Sequence, residues 1–239
     1  MSVLASDQSN SEARAAIMQS IRAHLGESAK VDSDHVPALA IVSNQTQATP
    51  PVAVSPVAAF RERLESVGGQ CVVVRDEEEA TRALAEVVSG LQARAVAQRI
   101  ALSDAPSLSR LTSGITADHT AVCPTAADLF NYDVGISTAQ AGIAETGTLV
   151  LEAEKERHRL VSLLPAVHIA FVRSDDIYLT IGDALAALRG GDEDSMSRAI
   201  TFITGPSRTA DIELTLTVGV HGPKELYVIV IDGPATGIA

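Results

Sequence analysis

The chain has 239 residues, 46% of them hydrophobic, and a formal net charge of −12. This length and apolar content fit one large domain, or one domain with a tail, around a sizeable core. The 18 Lys and Arg residues form no basic run, which argues against nucleic acid and anionic membranes as partners. Because no apolar run approaches the roughly 18 residues of a membrane span, and Met1 to Asn10 does not resemble a secretion signal, we expect a soluble, cytoplasmic protein.

The first segment of the chain predicts a helix followed by a linker. From Ser11 to Leu25, apolar residues recur at helical spacing, with Ser11 as a possible cap and Gly26 after the end. From Gly26 to Pro56 the sequence is rich in Ser, Asp, Gln, Thr and Pro, which indicates an extended linker. We therefore expect residues 1–56 to form this helix and linker, and residues 57–239 to form the main domain.

The main domain alternates helical and strand patterns. Helices are predicted at Val57–Val67, Glu77–Val88, Ala105–Leu111 and Ile181–Leu188. Short apolar runs, many of them β-branched, predict strands at Cys71–Val74, Arg99–Leu102, Ala121–Cys123, Val134–Ser137, Thr148–Leu151, Ile169–Val172, Ile200–Ile203 and Leu226–Ile231. Such alternation is typical of an α/β fold with a largely parallel sheet covered by helices.

The two cysteines, Cys71 and Cys123, each lie inside a short apolar run. We interpret them as buried free thiols, which pack as small hydrophobic groups. Because an iron–sulfur cluster needs about four thiolates, two isolated cysteines cannot hold one. We expect no cofactor and no metal on this chain, also because its histidines lack close metal-ligand spacing and the common catalytic motifs are missing.

A first cluster of polar residues surrounds Gly147. Glu145, Thr146 and Thr148 interrupt an otherwise small or apolar stretch from Ala141 to Leu151. A glycine permits close backbone approach, so Thr146, Gly147 and Thr148 are candidate substrate-binding residues and Glu145 a candidate acid or base. The structural alternative is a hairpin or bulge glycine with solvated neighbours.

A second cluster precedes a segment of ambiguous structure, Thr209 to Val218. Alternating apolar residues favour a strand there, whereas the cap-like Thr209, early acids and terminal Gly219 favour a helix, which we prefer. A helix start would present free amides beside Arg208 and so bind a carboxylate or phosphate. The candidate binding residues are Gly205, Ser207, Arg208, Thr209 and Asp211. In the alternative, Arg208 pairs with Asp211 on the surface of a capped turn.

Further candidates are histidines and nearby basic residues. His221, in the turn Gly219–Pro223 before the last apolar run, is a candidate catalytic acid or base, although a lone histidine in a turn is more often structural. Arg157, His158, Arg159 and His168 add basic groups that could meet an anion from a second side. The alternative for Glu152 to Arg159 is a solvated charge run.

Four motifs together carry a family resemblance. They are Ile143-Ala-Glu-Thr-Gly-Thr-Leu-Val-Leu151, Leu163-Leu-Pro-Ala-Val-His168, Ile203-Thr-Gly-Pro-Ser-Arg-Thr-Ala-Asp-Ile-Glu213 and Gly219-Val-His-Gly-Pro223. In this order, before a terminal apolar strand, they resemble the LUD domain of the lactate utilization protein C family (LutC/YkgG). The resemblance covers about Phe60 to Asp232 and is strongest from Ala141 onward.

The resemblance implies a fold similar to the NagB/RpiA/CoA-transferase group and a part in oxidising L-lactate to pyruvate. It also implies iron–sulfur and CCG-motif proteins as partners, with the clusters bound only by those partners. This chain would then be an accessory or substrate-handling component, and whether it is itself catalytic stays open. The alternative is an independent enzyme of that fold group, such as an acyl or CoA transferase, and a structural interaction module is the third possibility.

We predict that the three clusters meet at one pocket for a small anion at the ends of neighbouring strands.

Overall fold

A computed structural model describes residues 14–20, 22–23, 55–115, 119–122, 124–153, 159–189, 197, 199–210, 216–218 and 222–233. The chain divides into two compact units, Met1–Pro51 and Val52–Ala239. In the first unit, residues 14–20 and 22–23 are helical, in agreement with the helix predicted for this segment. The predicted linker lies outside the described residues except at its last two positions. In the described part of the chain, no helix is long and apolar enough to cross a membrane.

Five α-helices are described in the second unit. They are α1 (Pro56–Ser66), α2 (Glu77–Ala93), α3 (Leu108–Leu111), α4 (Ala126–Leu129) and α5 (Ile181–Arg189). The side chain of Asp76 caps α2 by accepting a hydrogen bond from Glu79 N, a contact that the sequence reading did not identify. Helix α3 begins later than the predicted Ala105, because Pro106 disfavours helical backbone at the residue before it.

Eight of the twelve described strands coincide with predicted apolar runs. In chain order the twelve are β1 (Gln70–Val74), β2 (Arg99–Leu102), β3 (His119–Val122), β4 (Val134–Thr138), β5 (Ala141–Ile143), β6 (Thr148–Glu152), β7 (Val167–Arg173), β8 (Ile177–Tyr178), β9 (Ile200–Ile203), β10 (Arg208–Ala210), β11 (Leu216–Val218) and β12 (Glu225–Ile231). Strands β5, β8, β10 and β11 were not predicted. Six of them form the main sheet, in the order β1-β12-β7-β4-β2-β3, and every neighbouring pair is parallel. The predicted α/β class and largely parallel sheet are confirmed.

A second sheet of four strands has the order β8-β5-β6-β9, and its β5–β6 and β6–β9 pairs are antiparallel. A separate antiparallel pair joins β10 to β11, with Arg208 opposite Val218. The helix predicted for Thr209 to Val218 is therefore wrong. Both described ends of this segment are strands, as its apolar alternation indicated, and their pairing outweighs the cap-like residues near its start.

The central strands of the main sheet, β4 and β7, are buried on both faces, as expected for parallel strands, whereas the edge strands β1 and β3 are partly exposed. On one face α2 packs through Leu84 and Val88 against alternate residues of the central strands. On the other face α1 and the second sheet contribute Phe60, Leu64 and Leu149. Because side chains alternate along a strand, His168 of β7 lies on this second face, together with Ala170 and Val172. That face positions the candidate site.

Candidate functional site

Gly147 closes the turn between β5 and β6, and this turn lies directly on helix α1. Its backbone has φ +66°, and its N–H donates to Ile143 O at 2.9 Å. A Cβ atom built on Gly147 would lie 2.3 Å from Leu64 N and 2.6 Å from Arg63 C. The close backbone approach that the sequence suggested is therefore made to α1.

Glu145, in the same turn, points its carboxylate towards the start of α5. Its Oε1 accepts a hydrogen bond from Ile181 N at 2.9 Å, while its own N–H donates to Leu179 O at 3.1 Å. A carboxylate at this position satisfies one of the free amides of the first helical turn and interacts well with the helix dipole. Glu145 thus has a structural partner, and an acid–base role for it stays a prediction.

A chain of three threonine hydroxyls joins the Gly147 turn to the loop after β9. Thr146 Oγ1 lies 2.7 Å from Thr148 Oγ1, which lies 2.7 Å from Thr204 Oγ1. Thr148 is buried on β6, whereas Thr204 precedes the Gly205–Arg208 segment. The structure therefore brings the first predicted cluster next to the second.

The Gly205–Arg208 segment packs against the carboxyl end of α1. Gly205 has φ +77°, and a Cβ atom there would lie 2.9 Å from Val67 O. The exposed Arg208 donates from Nη2 to the same carbonyl oxygen at 2.6 Å. Because a guanidinium carries five N–H donors, this bond fixes the side chain and leaves donors for an anion.

A cavity of about 420 Å³ lies beside this segment. It is lined by Ser162, Leu163, His168, Phe202, Ile203, Thr204, Gly205, Pro206, Ser207, Arg208, Gly222, Pro223 and Leu226. His168 and Leu226 are the second residues of β7 and β12, so the cavity lies at the amino ends of these parallel strands. We call it the Arg208 cavity. Its volume is within the range of small-molecule sites.

His168 is fully buried in the wall of the Arg208 cavity. Its Nε2 lies 2.8 Å from the hydroxyl of Ser137, whereas Nδ1 has no hydrogen-bond partner in the part of the chain that the structure describes. Burial lowers the pKa of His168 from 6.5 to about 3. The imidazole is therefore neutral near pH 7, and the expectation that His168 supplies positive charge to an anion is wrong.

Other predicted residues are placed differently or not described. His221, Asp211, Arg157 and His158 lie outside the described residues, and Thr209 is described only as backbone of β10. Because no helix begins at Thr209, the predicted anion site at a helix start is wrong. In the run Glu152 to Arg159, for which a solvated charge run was the alternative, Glu152 is only 3% exposed and its N–H donates to Gln140 Oε1. Arg159 is exposed, and residues 154–158 lie outside the described residues.

A second cavity, of about 300 Å³, lies at the carboxyl ends of β4, β7 and β12. Its polar lining residues, which the sequence reading did not select, are Glu77, Ser107, Thr138, Gln140, Arg173 and Asp176. Arg173 Nη2 donates to the carbonyl of Gly233. Thr138 and Arg173 are the last residues of apolar strands, and this position was a usable signal, since open α/β sheets bind ligands at this edge.

The residues described around the two cavities form no metal site. Among the described residues, no three His, Cys, Asp or Glu side chains are grouped closely enough to hold a metal ion. Cys71 is a buried free thiol, as predicted, and burial raises its pKa to about 12. Cys123 lies outside the described residues.

The arrangement in the Arg208 cavity, a cation beside hydroxyls and a neutral imidazole, suits a small polar anion.

Comparisons with known proteins agree with the motifs. Residues 57–231 match the profile of the LUD domain family. Lactate utilization protein C of Bacillus licheniformis is 41% identical over 103 residues, and that of Bacillus subtilis is 42% identical over 103 residues. An uncharacterized protein of Neisseria meningitidis is 42% identical over 101 residues. Each match covers 42% of this chain and 43% of the relative, so the aligned region is less than half of either protein.

One solved structure has a similar fold. A DUF162 family protein from Deinococcus radiodurans superimposes with a TM-score of 0.52, covering 74% of this chain and 96% of the other. At 23% sequence identity this similarity supports the α/β fold alone. The family resemblance inferred from the four motifs is confirmed by the profile match and by the names of the relatives.

Proposed function

Because the chain belongs to the LUD domain family, we propose that it acts in lactate utilization as a component that binds the small carboxylate substrate or product. Relatives named lactate utilization protein C support the process. The observation that carries the binding role is the Arg208 cavity, where a guanidinium lies beside Ser207 in a space of about 420 Å³.

The chemistry of the cavity fits a monocarboxylate such as lactate or pyruvate. A guanidinium binds a carboxylate through two parallel N–H···O bonds, and charge-assisted bonds of this kind are the stronger ones. The bond from Arg208 to Val67 O restrains the side chain beforehand, which reduces the entropy lost on binding. Apolar walls from Leu163, Ile203 and Leu226 can contact the short carbon chain.

Electron transfer, in this proposal, belongs to partner proteins. The whole chain has two cysteines, and an iron–sulfur cluster needs about four thiolates. We therefore propose that iron–sulfur and CCG-motif partners hold the clusters and that this chain handles the organic acid. An independent enzyme of the CoA-transferase type would instead turn over its substrate without any such partner.

Growth experiments test the process. A strain lacking the gene should grow poorly with L-lactate as carbon source and normally with pyruvate. Wild-type protein should restore growth, and Arg208→Ala should not. Arg82→Ala, which removes an exposed arginine of α2 that does not line the cavity, should restore it. Equal growth of the deletion strain on both carbon sources, in a background without another lactate dehydrogenase, would refute the assignment.

Calorimetry tests the site itself. The purified chain should bind lactate or pyruvate, with phosphate and CoA as competing candidates. Arg208→Ala should weaken carboxylate binding by about 1.5–3 kcal/mol, the scale of a hydrogen bond to a charged group. The matched Arg82→Ala variant should bind as the wild type does. Tight binding of CoA with no carboxylate binding would favour the independent enzyme.

A further inference from the structure

Opposite charges lie close together in the lining of the second cavity, at the carboxyl ends of β4, β7 and β12. The cation is Arg173, the last residue of β7, and an acid, Asp176, follows it after a short turn. Ile169 and Phe171 of β7 pack in the same cluster as α2, so the alternation of side chains places Arg173 on that face as well. The cavity therefore lies where the sheet edge meets the start of α2.

Arg173 is a half-buried cation with most of its hydrogen-bonding capacity unused. Its Nη2 donates to the carbonyl of Gly233, and among the described residues no carboxylate forms an ion pair with it. A guanidinium has five N–H donors and binds a carboxylate through two of them. Because partial burial makes an unmatched charge less favourable, a bound carboxylate would supply the missing counter-charge.

Asp176 supplies the opposite charge near Arg173. The two residues are three positions apart, joined through the 3₁₀ turn Ser174–Asp176. Residues three apart in such a turn lie on the same side, about 6 Å from each other along its axis. A carboxylate has about four acceptor positions, so Asp176 can accept from a ligand in addition to its contacts within the chain. Both ends of one small molecule can therefore be contacted from this turn.

The rest of the lining limits the size and polarity of a ligand. An apolar wall is formed by Leu111, Ala139, Phe171, Val172 and Ile231. Ser107 adds a hydroxyl that makes no capping bond to α3. The other acid, Glu77, lies 3.5 Å from Arg110 and so has a counter-charge within the protein. The volume of about 300 Å³ is at the lower end of the range for small-molecule sites, which favours a small ligand.

We propose that the second cavity binds a small amino acid with an apolar side chain, whose carboxylate is held by Arg173 and whose ammonium is held by Asp176. A molecule with a single charge would match only one of these two groups. A dianion such as phosphate would be repelled by Glu77 and Asp176. Because this cavity is separate from the Arg208 cavity, the inference does not depend on the proposed function.

NMR titration of nitrogen-labelled wild-type protein tests the proposal without relying on the folding of a variant. L-Valine should shift the amide signals of Ala139 and Asp176 and leave that of Ser207, in the Arg208 cavity, unchanged. Two analogues of L-valine each lack one charge, since isovalerate has no ammonium and isobutylammonium has no carboxylate. At the Ala139 and Asp176 signals, each analogue should bind about tenfold more weakly than L-valine, because it loses one set of charge-assisted hydrogen bonds.

Three results would overturn the proposal. Isovalerate binding as tightly as L-valine at these signals would leave a simple anion site, and equal binding of isobutylammonium would leave a cation site. Shifts at Ser207 alone would place the amino acid in the Arg208 cavity. If neither L-valine nor the smaller L-alanine shifts Ala139 and Asp176, the cavity does not bind this class of molecule.

Two substitutions assign the contacts. Arg173→Gln should weaken L-valine binding about tenfold and leave isobutylammonium binding unchanged, whereas Asp176→Asn should weaken L-valine binding and leave isovalerate binding unchanged. Asp175→Asn is the matched control, because Asp175 lies in the same turn but is exposed and does not line the cavity. Its affinity for L-valine should equal that of the wild type. An unchanged affinity in folded Arg173→Gln or Asp176→Asn protein, with folding checked by circular dichroism, would refute the proposed contacts.

Discussion

Substituting Gly147 by Ala should strongly destabilise the domain, because the turn that carries it lies on the backbone of α1. The added Cβ would lie 2.3 Å from Leu64 N and 2.6 Å from Arg63 C, both backbone atoms that cannot rotate away. The left-handed backbone, with φ +66°, costs a non-glycine residue about 1–2 kcal/mol. Overpacking typically adds about 1–3 kcal/mol. We expect the free energy of unfolding to fall by about 2–5 kcal/mol in total.

Urea unfolding followed by circular dichroism measures this change from the midpoint and the slope of the transition. Gly90→Ala is the matched control, because Gly90 lies within α2 and a Cβ atom there would have no neighbour within 4 Å. The control should be stabilised by about 0.5–1 kcal/mol, the usual gain of Ala over Gly within a helix. A Gly147→Ala protein as stable as the wild type would show that the turn does not contact α1 as described.

Three further predictions concern titration, reactivity and capping. Because burial lowers the pKa of His168 from 6.5 to about 3, only the unfolded chain takes up this proton between those pH values. As the pH is lowered through that window, the free energy of unfolding should therefore decrease by up to about 1.4 kcal/mol per pH unit. The decrease should be less steep in His168→Gln, as urea titrations at several pH values would show. Burial raises the pKa of Cys71 to about 12, so iodoacetamide at mildly alkaline pH should label the Cys71 peptide in concentrated urea and not in the native protein, as read by mass spectrometry. Glu145→Ala should lose about 1 kcal/mol of stability by removing the bond to Ile181 N, while calorimetry should show unchanged carboxylate affinity; a large loss of affinity would support a role for Glu145 in binding.

The sequence predicted most elements of the main sheet because its parallel strands are buried on both faces. Such strands appear as short continuous apolar runs, and the bounds of β2 agree with prediction at both ends. Helix α2 was also predictable, since acidic residues occupy its first turn. Its end was predicted five residues early, because Leu91 continues the buried stripe beyond Gly90.

The second sheet was less predictable, because two of its four strands, β5 and β8, have only three and two residues. Strand β5 has three residues, Ala141–Ile143, and two of them are small.

In the Thr209 to Val218 segment the local cap signals and the apolar alternation pointed to different structures. The alternation gave the correct answer there, since β10 and β11 pair with each other.

Of the predicted site residues, Gly205, Ser207 and Arg208 line the Arg208 cavity, whereas those around Gly147 are not part of its lining. The threonines near Gly147 and the Gly205–Arg208 segment do come together, through the hydroxyls of Thr148 and Thr204. The sequence did not predict that His168 is neutral, because its burial depends on how the second sheet and the loops cover β7. The edge of the sheet at which these loops meet depends on the strand order, which one sequence does not specify.

Strand β7 shows why the two cavities must be treated as separate sites. His168, at its amino end, lines the Arg208 cavity, and Arg173, at its carboxyl end, lines the other. Five residues of extended strand span about 17 Å, which is several times the length of a three-carbon acid. A carboxylate bound by Arg208 therefore cannot reach Arg173. The second cavity can hold a different molecule at the same time. If substitution of Arg173 weakened carboxylate binding at Arg208, the effect would have to be an indirect one, transmitted along β7.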